Sequence, residues 1–271
     1  MGDMIIVEPF ALNYAAAYGL PLAAPRPALH IESGTERPNL LTDDPREVWV
    51  GLTAGNYSYI YIDLGADTQW DTIALINTNA NAAADIDLRS GTAAQADYLA
   101  TVHKPPGTPL RLDSEDVADA RGPFFFWSAA PITARYIYMG LRQGAGGPPP
   151  QVGRFVIGKS WKPSLGMEIG AGRPPIDSGS RERLPDGGLA TVSGSLVSGF
   201  EWTFGDLATA DLKKLWGIMR RRRTTEPLLL VEDPAAPLAE GIHYGTFVNL
   251  ARYERKFPSK SRWQLQTEDW I

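Results

Sequence analysis

One stretch, Thr133 to Trp161, restricts the possible folds of this chain more than any other. In residues 134–141, tyrosines alternate with isoleucine, methionine and leucine, a period of two that is typical of a β-strand. Residues 144–150 form a run of glycine and proline that neither a helix nor a strand can cross. An apolar run, residues 152–158, follows this turn. The stretch therefore predicts the end of one β domain, and we expect a second domain after it.

The amino-acid composition supports a mainly β protein and excludes a disulfide-stabilised one. The chain has 271 residues, of which 44% are hydrophobic, which is enough for one large core or two ordinary cores, and we favour two. Its 27 glycines and 22 prolines suit a mainly β chain with many turns. Cysteine is absent, which excludes disulfides and thiolate metal sites.

Charge and hydropathy indicate the environment. A net charge of -5 argues against nucleic-acid binding, because proteins of that class usually carry a basic face. No run approaches the roughly 20 apolar residues that span a bilayer, and the N-terminus lacks the features of a signal peptide. We therefore expect a soluble protein made in the cytoplasm, with no membrane partner and no sequence-specific nucleic-acid partner.

Short patterned segments predict the elements of the first half. Residues 1–30 are interpreted as an N-terminal arm, in which residues 11–22 form an edge strand or dock on a neighbour. A short helix is expected at 92–99, and 107–121 is interpreted as a polar loop. Alternation and turn residues predict strands at 48–50, 57–64, 70–77 and 85–91, and the aromatic run 124–127 is interpreted as a plug or a strand.

In their order, these pieces resemble the galactose-binding-like (discoidin) jelly roll. The resemblance covers roughly Leu41 to Gly158 and implies a jelly-roll sandwich. Members of that family often bind sugars through variable loops, and no such loop residue maps onto this chain. The matching pieces are Asp63-Leu64-Gly65, Ile73-Ala74-Leu75-Ile76, Arg89-Ser90-Gly91-Thr92 and Ala134-Arg135-Tyr136-Ile137-Tyr138.

One amphipathic helix, predicted at 207–221, organises the second half. Asp206 or Thr209 is expected to cap its N-terminus. Its apolar stripe has the spacing i, i+3, i+4 and i+7 and consists of Leu212, Leu215, Trp216 and Met219. The sheet under the helix is predicted from strands at 190–204, 228–231, 244–253 and 262–270.

This order of strand, helix and hairpin resembles the tail-tube-like fold of phage tail tube, distal tail and related baseplate proteins. The pieces that carry the resemblance are Ser198-Gly199-Phe200-Glu201-Trp202, the helix, Glu226-Pro227-Leu228-Leu229-Leu230-Val231 and Tyr244-Gly245-Thr246-Phe247. Joined to a jelly roll, it resembles the distal tail or minor tail (baseplate) proteins of long-tailed bacteriophages. The predicted division is an arm at 1–30, a jelly roll at 31–162, a linker at 163–188 and a tail-tube-like domain at 189–271.

The resemblance implies a structural component of the virion, located at the phage tail tip, with no enzymatic step. Copies of the chain would form a ring that joins the tail tube to the baseplate or hub, with six copies expected and three as the alternative. The implied partners are the tail tube, tape-measure and tail-tip hub proteins. Two other functions stay open: a carbohydrate-binding module that recognises a host cell-surface glycan, and an accessory domain of a glycoside hydrolase.

Two sets of residues are candidates for binding. Arg220, Arg221, Arg222 and Arg223 lie at the predicted helix C-terminus, where the macrodipole favours cations, and we interpret them as a subunit interface. A DNA-facing lumen is less consistent with them, because basic residues would retard the phosphates. The candidates for stacking on a glycan are Trp49, Tyr57 and Trp127, accompanied by Tyr59 and Tyr61, with core positions as the alternative.

No group of residues has the spacing of a known metal site. The histidines, His30, His103 and His243, lie far apart in the sequence. An acidic cluster lacks the glycine turn and final glutamate of a calcium loop, and consists of Asp113, Glu115, Asp116 and Asp119. A structural cation at Asp43 and Asp44 stays open, but no metal or cofactor is expected.

Catalytic patterns are also missing. Glu201, Glu232, Asp233, Glu268 and Asp269 have no spacing that singles out the carboxylate pair of a glycosidase. The glycine-rich run 170–175 ends in prolines where a phosphate-binding helix would begin, so we interpret it as linker. The sequence has no Gly-x-Ser-x-Gly motif, and we expect no catalytic residue.

Overall fold

The computed structural model describes residues 3–19, 21–52, 55–94, 100–112, 122–177, 179–194 and 196–270. Within these residues the protein is mainly β, with one α-helix, α1 (Thr209–Arg222), and two short 3-10 helices, Arg37–Leu41 and Ala239–Gly241. The predicted mainly β class with one packed helix is therefore confirmed. No helix in the described part of the chain is long and apolar enough to cross a membrane.

The strands of the described residues are numbered in chain order. They are β1 (Ile5–Val7), β2 (Asn13–Tyr14), β3 (Ala28–Ile31), β4 (Trp49–Val50), β5 (Ser58–Thr78), β6 (Asp85–Gly91), β7 (Thr101–Pro109), β8 (Gly122–Arg142), β9 (Gln151–Val152), β10 (Arg154–Gly158), β11 (Ser160–Trp161), β12 (Pro175–Asp177), β13 (Ser180–Arg183), β14 (Leu189–Val192), β15 (Leu196–Ala208), β16 (Leu228–Val231), β17 (Ile242–Phe247), β18 (Glu254–Phe257) and β19 (Lys260–Asp269).

The chain divides into two units that alternate along the sequence. The sandwich unit contains Ile5–Trp161 and Leu229–Ile242, and the helix unit contains Met1–Met4, Lys162–Leu228 and His243–Ile271. Within the sandwich unit, β1 pairs with β11 on one side and with β16 on the other. Because of these pairings, residues 5–30 and 229–242 group with the sandwich unit, whereas the sequence-based boundaries placed them in an arm and in the second domain.

Two long strands, β5 and β8, form the centre of the sandwich unit. They pair antiparallel along most of their length, with a register break between Asp63 and Thr68. The predicted strands 57–64 and 70–77 are therefore two halves of β5, and 124–127 and 134–141 are two halves of β8. The prediction separated them because irregularities in the ladder interrupt the local pattern without ending the strand.

Along their two halves, β5 and β8 pair with different neighbouring strands of one seven-stranded sheet in the described ranges. The first half of β5 and the second half of β8 lie in a sheet of order β2-β3-β5-β8-β6-β7, and β10 pairs with the second half of β5. The strand β7 was not predicted. The buried core of these strands includes Leu29, Ile62, Trp70, Ile73, Leu88, Phe124, Phe126, Ile137, Met139, Phe155 and Ile157.

The stretch from Thr133 to Trp161 contains a glycine that the fold requires. A Cβ on Gly153, between β9 and β10, would lie 1.9 Å from the carbonyl oxygen of Pro45. No side chain can occupy that space, so the close passage of the two backbones depends on glycine here.

The helix unit is built on the pair β15 and β19. Phe200, Trp202 and Phe204 on β15 are buried, as predicted, and Trp263 and Leu265 on β19 are buried between exposed neighbours. Antiparallel pairing places Trp202 opposite Leu265 and Phe204 opposite Trp263. The helix α1 packs against both strands.

The predicted helix differs from α1 in three respects. It begins at Thr209, because Leu207 and Ala208 continue the pairing of β15 with β19. The N-cap is Ala208, so neither Asp206 nor Thr209 is the capping residue. The buried side is completed by Ile218, whereas Trp216 is 45% exposed.

The predicted linker, 163–188, contains β12 and β13. The strand β12 pairs with β15. The strand β13 pairs with β14 to form a two-stranded sheet that pairs with no other strand in the described ranges. We call this element, residues 180–192, the hairpin.

Candidate functional site

The structure does not bring the three predicted glycan-stacking residues together. Trp49 is fully buried, and its indole N–H donates to the carbonyl oxygen of Ser33 at 3.1 Å, so its ring has no face for a sugar. This residue belongs to the core, and the prediction for it is wrong. Tyr57 precedes β5, near the C-terminal end of β8, whereas Trp127 lies in the N-terminal half of β8. Trp127 is half-buried and donates to Ser160 Oγ at 3.3 Å.

Tyr57 instead belongs to a row of rings on the outer side of the sandwich. In the first half of β5 and the second half of β8, one side chain in two faces the core, and the other positions include Tyr59, Tyr61 and Tyr138. Register places His30 opposite Tyr61, and Tyr61 opposite Tyr138. We call this surface the tyrosine face; it consists of Tyr18, His30, Tyr57, Tyr59, Tyr61 and Tyr138.

The rings of the tyrosine face pack against one another. The ring centroids of Tyr57 and Tyr59 are 6.0 Å apart, those of Tyr59 and Tyr138 are 5.4 Å apart, and those of Tyr18 and Tyr61 are 4.6 Å apart. Gly140 leaves space for this packing, because a Cβ there would lie 3.1 Å from the Tyr57 ring and 3.3 Å from the Tyr59 ring. The glycine in the middle of β8 is the sequence signal that marks the crowded side of the strand.

Charged groups surround the rings. The Tyr57 hydroxyl donates to Asp85, and Arg142 donates to the same carboxylate at 2.8 Å. The Arg142 guanidinium also lies 4.7 Å from the Tyr57 ring centroid, within the range of a cation–π interaction. The Tyr61 hydroxyl donates to Glu32 at 3.1 Å.

These surroundings shift the acidity of two hydroxyls. Burial, with the hydrogen bond to Asp85 second, raises the pKa of Tyr57 to about 12. Burial is also the main reason why the pKa of Tyr138 is raised. Both hydroxyls therefore stay protonated at neutral pH, as donors and acceptors of hydrogen bonds and not as nucleophiles.

The tyrosine face offers a limited set of contacts. Tyr61 and Tyr138 are 8% and 9% exposed, and Arg142 covers one side of Tyr57. Tyr18, which is 50% exposed, and the half-buried Tyr57 and Tyr59 remain accessible, and the Tyr61 ring that packs against Tyr18 is hydrogen-bonded to Glu32. The arrangement can bind a polar ligand by hydrogen bonds and ring contacts, and it places no nucleophile beside a base.

The four predicted interface arginines lie at the end of α1. Arg220, Arg221 and Arg223 are exposed, whereas Arg222 pairs with Glu226 at 3.3 Å. A Cβ on Gly217 would lie 3.2 Å from Nη1 of Arg221, so this guanidinium lies over the glycine. Trp216, which sequence reasoning placed in the core, is exposed beside them.

The hairpin is the other exposed feature of the helix unit. All eight residues of β13 and β14 are exposed. Apolar side chains are among them: Leu189 is 58% exposed and Val192 is 68% exposed, and Leu184, just after β13, is 41% exposed. Sequence analysis assigned part of this segment to a linker, because its alternation is short and its turn is rich in glycine.

The candidate metal ligands are occupied by other partners where the structure describes them. Asp43 pairs with Arg154 at 3.0 Å and Asp44 pairs with Arg46 at 2.8 Å, an interaction that lowers the pKa of Asp44. No group of three His, Asp or Glu in the described ranges could hold a metal ion. Asp113, Glu115, Asp116 and Asp119 lie outside the described residues.

Each histidine has a structural contact. Nδ1 of His30 is 2.7 Å from the carbonyl oxygen of Ala15, and Nδ1 of His243 is 3.0 Å from Asp269. Nε2 of His103 is 2.8 Å from Oγ of Ser90, and burial lowers the pKa of His103. Ser90 is only 2% exposed, so its hydroxyl is shielded from a substrate.

Two of the carboxylates considered for glycosidase chemistry, Glu201 and Asp233, accept hydrogen bonds from nearby amides. Glu201 accepts a hydrogen bond from the Gln264 side chain and lines an open pocket of about 320 Å³ in the helix unit. The lining also contains Glu254, Arg252 and Arg262, so the pocket carries charges of both signs. Asp233 accepts hydrogen bonds from the backbone of Ala235 and Ala236, as in a turn.

Comparison with known proteins identifies neighbours of the fold. No protein-family model matches the chain, and no curated protein matches it. A mutant of chitosan-binding module 1 from the chitosanase/glucanase of Paenibacillus sp. IK-5 is 13% identical, with a TM-score of 0.35, over 49% of this chain and 94% of that one. The lectin domain of lectinolysin in complex with Lewis B antigen is 16% identical, with a TM-score of 0.34, over 49% and 92%. The module CpGH89CBM32-6 of Clostridium perfringens is 12% identical, with a TM-score of 0.35, over 48% and 91%.

Proposed function

We propose that this chain is a structural subunit that assembles with copies of itself. The observation that carries the proposal is the hairpin, whose strand residues are all exposed and include Leu189 and Val192. An isolated two-stranded hairpin is at best marginally stable in water, and exposed apolar side chains in such an element favour a protein partner. Binding a neighbouring subunit would cover both side chains.

The distribution of exposed apolar side chains supports the same function. The described residues contain twelve large hydrophobic side chains that are well exposed, and nine of them belong to the helix unit. The helix unit is the smaller of the two units, so this surface is concentrated there. We therefore assign subunit contacts to the helix unit. Its nine residues are Leu165, Ile169, Leu184, Leu189, Val192, Trp216, Val248, Leu250 and Phe257.

The biological setting follows from the sequence resemblance alone. We propose a distal or minor tail protein of a long-tailed bacteriophage, which forms a ring of six copies, or of three, at the tail tip. Its partners would be the tail tube, tape-measure and hub proteins. In this role the protein needs no catalytic step and no cofactor.

Sedimentation velocity of the full chain tests self-association. We expect a concentration-dependent oligomer, and we expect Leu189→Asp with Val192→Asp to weaken its association at least tenfold, because both side chains lose an apolar contact. Val102→Asp, at a position that is 50% exposed on β7 of the sandwich unit, is the matched control and should associate like the wild type. Equal association of the hairpin variant and the control would contradict the role of the hairpin.

A second candidate function is glycan recognition by the sandwich unit. The specific observation is that Tyr18, Tyr57 and Tyr59 are accessible on a face whose Tyr61 hydroxyl is bonded to the exposed Glu32. Aromatic rings beside hydrogen-bonding groups suit the apolar faces and hydroxyls of a sugar. Such binding is compatible with assembly through the helix unit.

A glycan array with the full chain tests this function. We expect binding that Tyr18→Ala and Tyr59→Ala both remove, whereas Tyr14→Ala, outside the tyrosine face, retains it. Binding that survives both changes would place the site elsewhere, and a blank array at high protein concentration would count against glycan recognition.

A further inference from the structure

We propose that the end of α1 docks on an acidic surface of a second copy of this chain, in a head-to-tail contact. The inference rests on the proposed self-assembly and names the surfaces that meet. The first surface, which we call the basic helix surface, consists of Lys213, Trp216, Arg220 and Arg223.

Helical spacing brings these residues to one side. Positions 213, 216 and 220 are separated by three and four residues, so they share a face of α1, and Arg223 follows at the C-cap. The opposite side of α1 is buried through Leu212, Leu215, Ile218 and Met219. Lys213, Arg220 and Arg223 are exposed, so the basic helix surface is the solvent side of the helix.

Trp216 gives this surface an apolar anchor of fixed orientation. Although it is 45% exposed, its ring lies 6.1 Å from that of Tyr253 and 5.8 Å from that of Trp263. These contacts restrict the ring before any partner binds, which reduces the entropy lost on binding. Tryptophan, tyrosine and arginine are the residue types that dominate the affinity of protein interfaces.

Charge indicates what the surface binds. From Lys213 to Arg223 the sequence has six cations, and the helix unit as a whole has 15 Lys and Arg against 12 Asp and Glu. The sandwich unit has 11 Lys and Arg against 19 Asp and Glu. The most basic element of the chain therefore has its complement in the other unit of a neighbouring copy.

The same charges exclude a symmetric pairing of two helices. In a two-fold contact, each basic helix surface would face its own copy, and like charges at an interface oppose binding. A contact between two different surfaces has no such repulsion. Repeated from copy to copy, such a contact builds a closed ring when the rotations between successive copies add up to a full turn.

Exposed acidic residues in one segment of the sandwich unit suit this contact. Glu36 and Glu47 are exposed. Thr35 pairs with Val50 in an isolated bridge, and the Asn39 amide donates to Val48 at 3.2 Å, so the two glutamates lie in one connected loop region. We assign Glu36 and Glu47 as the acidic surface that receives the basic helix surface.

Charge reversal in the full chain tests the contact. By sedimentation velocity, we expect Arg220→Glu with Arg223→Glu, and separately Glu36→Arg with Glu47→Arg, to weaken self-association at least tenfold. Arg255→Glu with Lys256→Glu makes the same change of charge on exposed β18 residues and is the matched control, with less than about a threefold effect. Circular dichroism confirms that each variant is folded.

Mixing the two reversed variants gives the decisive result. In a head-to-tail assembly, the acidic helix end of the first variant meets the basic segment of the second variant. The unchanged basic helix end of the second variant likewise meets the unchanged acidic segment of the first. We therefore expect the two variants to associate with each other as tightly as two wild-type copies do, although each variant alone associates at least tenfold more weakly. If mixing recovers nothing, these two surfaces do not meet and the inference is wrong.

Two other outcomes separate this inference from the proposed function. If the wild type forms oligomers and the variant with Arg220→Glu and Arg223→Glu associates equally well, self-assembly stands and the docking contact is wrong. If the wild type stays monomeric at every concentration, the proposed function fails and the docking contact fails with it.

Trp216→Ala should weaken association at least tenfold without changing its dependence on salt, because it removes the apolar anchor and no charge.

Discussion

Asp63 is the buried charge on which the sandwich unit depends most. It lies on β5, is 0% exposed, and forms ion pairs with Arg135 at 2.8 Å and with Arg26 at 3.1 Å. It also accepts hydrogen bonds from the backbone N–H of Gly65 at 2.9 Å and of Leu22 at 3.3 Å. One carboxylate therefore fastens the N-terminal segment to the long strands.

Asp63→Asn keeps the shape of the side chain and removes its charge. Loss of one partner from a buried ion pair destabilises proteins by about 3–5 kcal/mol, because the other charge stays unpaired. The side chains of Arg26 and Arg135 are 35% and 16% exposed, so both cations can partly regain water. We therefore expect a loss near the lower end of that range, about 3 kcal/mol of unfolding free energy.

The pH dependence of stability gives an independent check. Burial alone would raise the pKa of Asp63, but hydrogen bonds from Arg135 and Gly65 and the two arginine charges lower it overall. Because the folded-state pKa is depressed, the stabilisation is present above the unfolded pKa of about 3.9 and is lost as the pH falls through the folded-state pKa. The Asn variant should lack this loss.

Urea unfolding at neutral and acidic pH, followed by circular dichroism, measures both effects. Asp44→Asn is the matched control, since it breaks an exposed pair with Arg46 and should leave the unfolding midpoint almost unchanged. A loss below about 1 kcal/mol for Asp63→Asn at neutral pH, or an unchanged acid profile, would refute the reasoning.

Three further predictions concern single side chains. Gly153→Ala should lower the unfolding free energy by about 1–3 kcal/mol, because its Cβ meets the Pro45 carbonyl, whereas Gly122→Ala, with nothing within 4 Å, should be nearly neutral in the same urea assay. Trp202→Ala should lower it by about 3–5 kcal/mol, since Trp202 is 1% exposed, and a loss under about 1 kcal/mol in urea would contradict its place in the core. Tyr57→Phe should remove one phenol that titrates at about pH 12 in ultraviolet difference spectra, and loss of a phenol that titrates near the ordinary value of about 10 would contradict the raised pKa.

Much of the fold follows from local pattern. The strand β6 spans the same residues, 85–91, that alternation and turn signals predict. Burial of alternate residues on β19 also agrees, because period two is a property of the strand itself. By contrast, the first turn predicted for the helix, at 207 and 208, belongs to β15, because pairing with a distant strand overrides local helix propensity.

The candidate surfaces were harder to predict, because exposure depends on contacts between distant residues. Trp49 looks available in the sequence but lies in the core, whereas Trp216 fits an apolar stripe and is exposed. The tyrosine face requires the register of β3, β5 and β8, which no local window contains. Only Tyr57 and its neighbours on β5 were identified in advance.

The mass of the full chain in solution tests the central claim most directly. Sedimentation velocity over a wide range of concentration should show one closed oligomer, whose mass is a whole multiple of 29.6 kDa and which the hairpin substitutions disrupt. A species of 29.6 kDa at every concentration would contradict the claim that this protein is an assembly subunit.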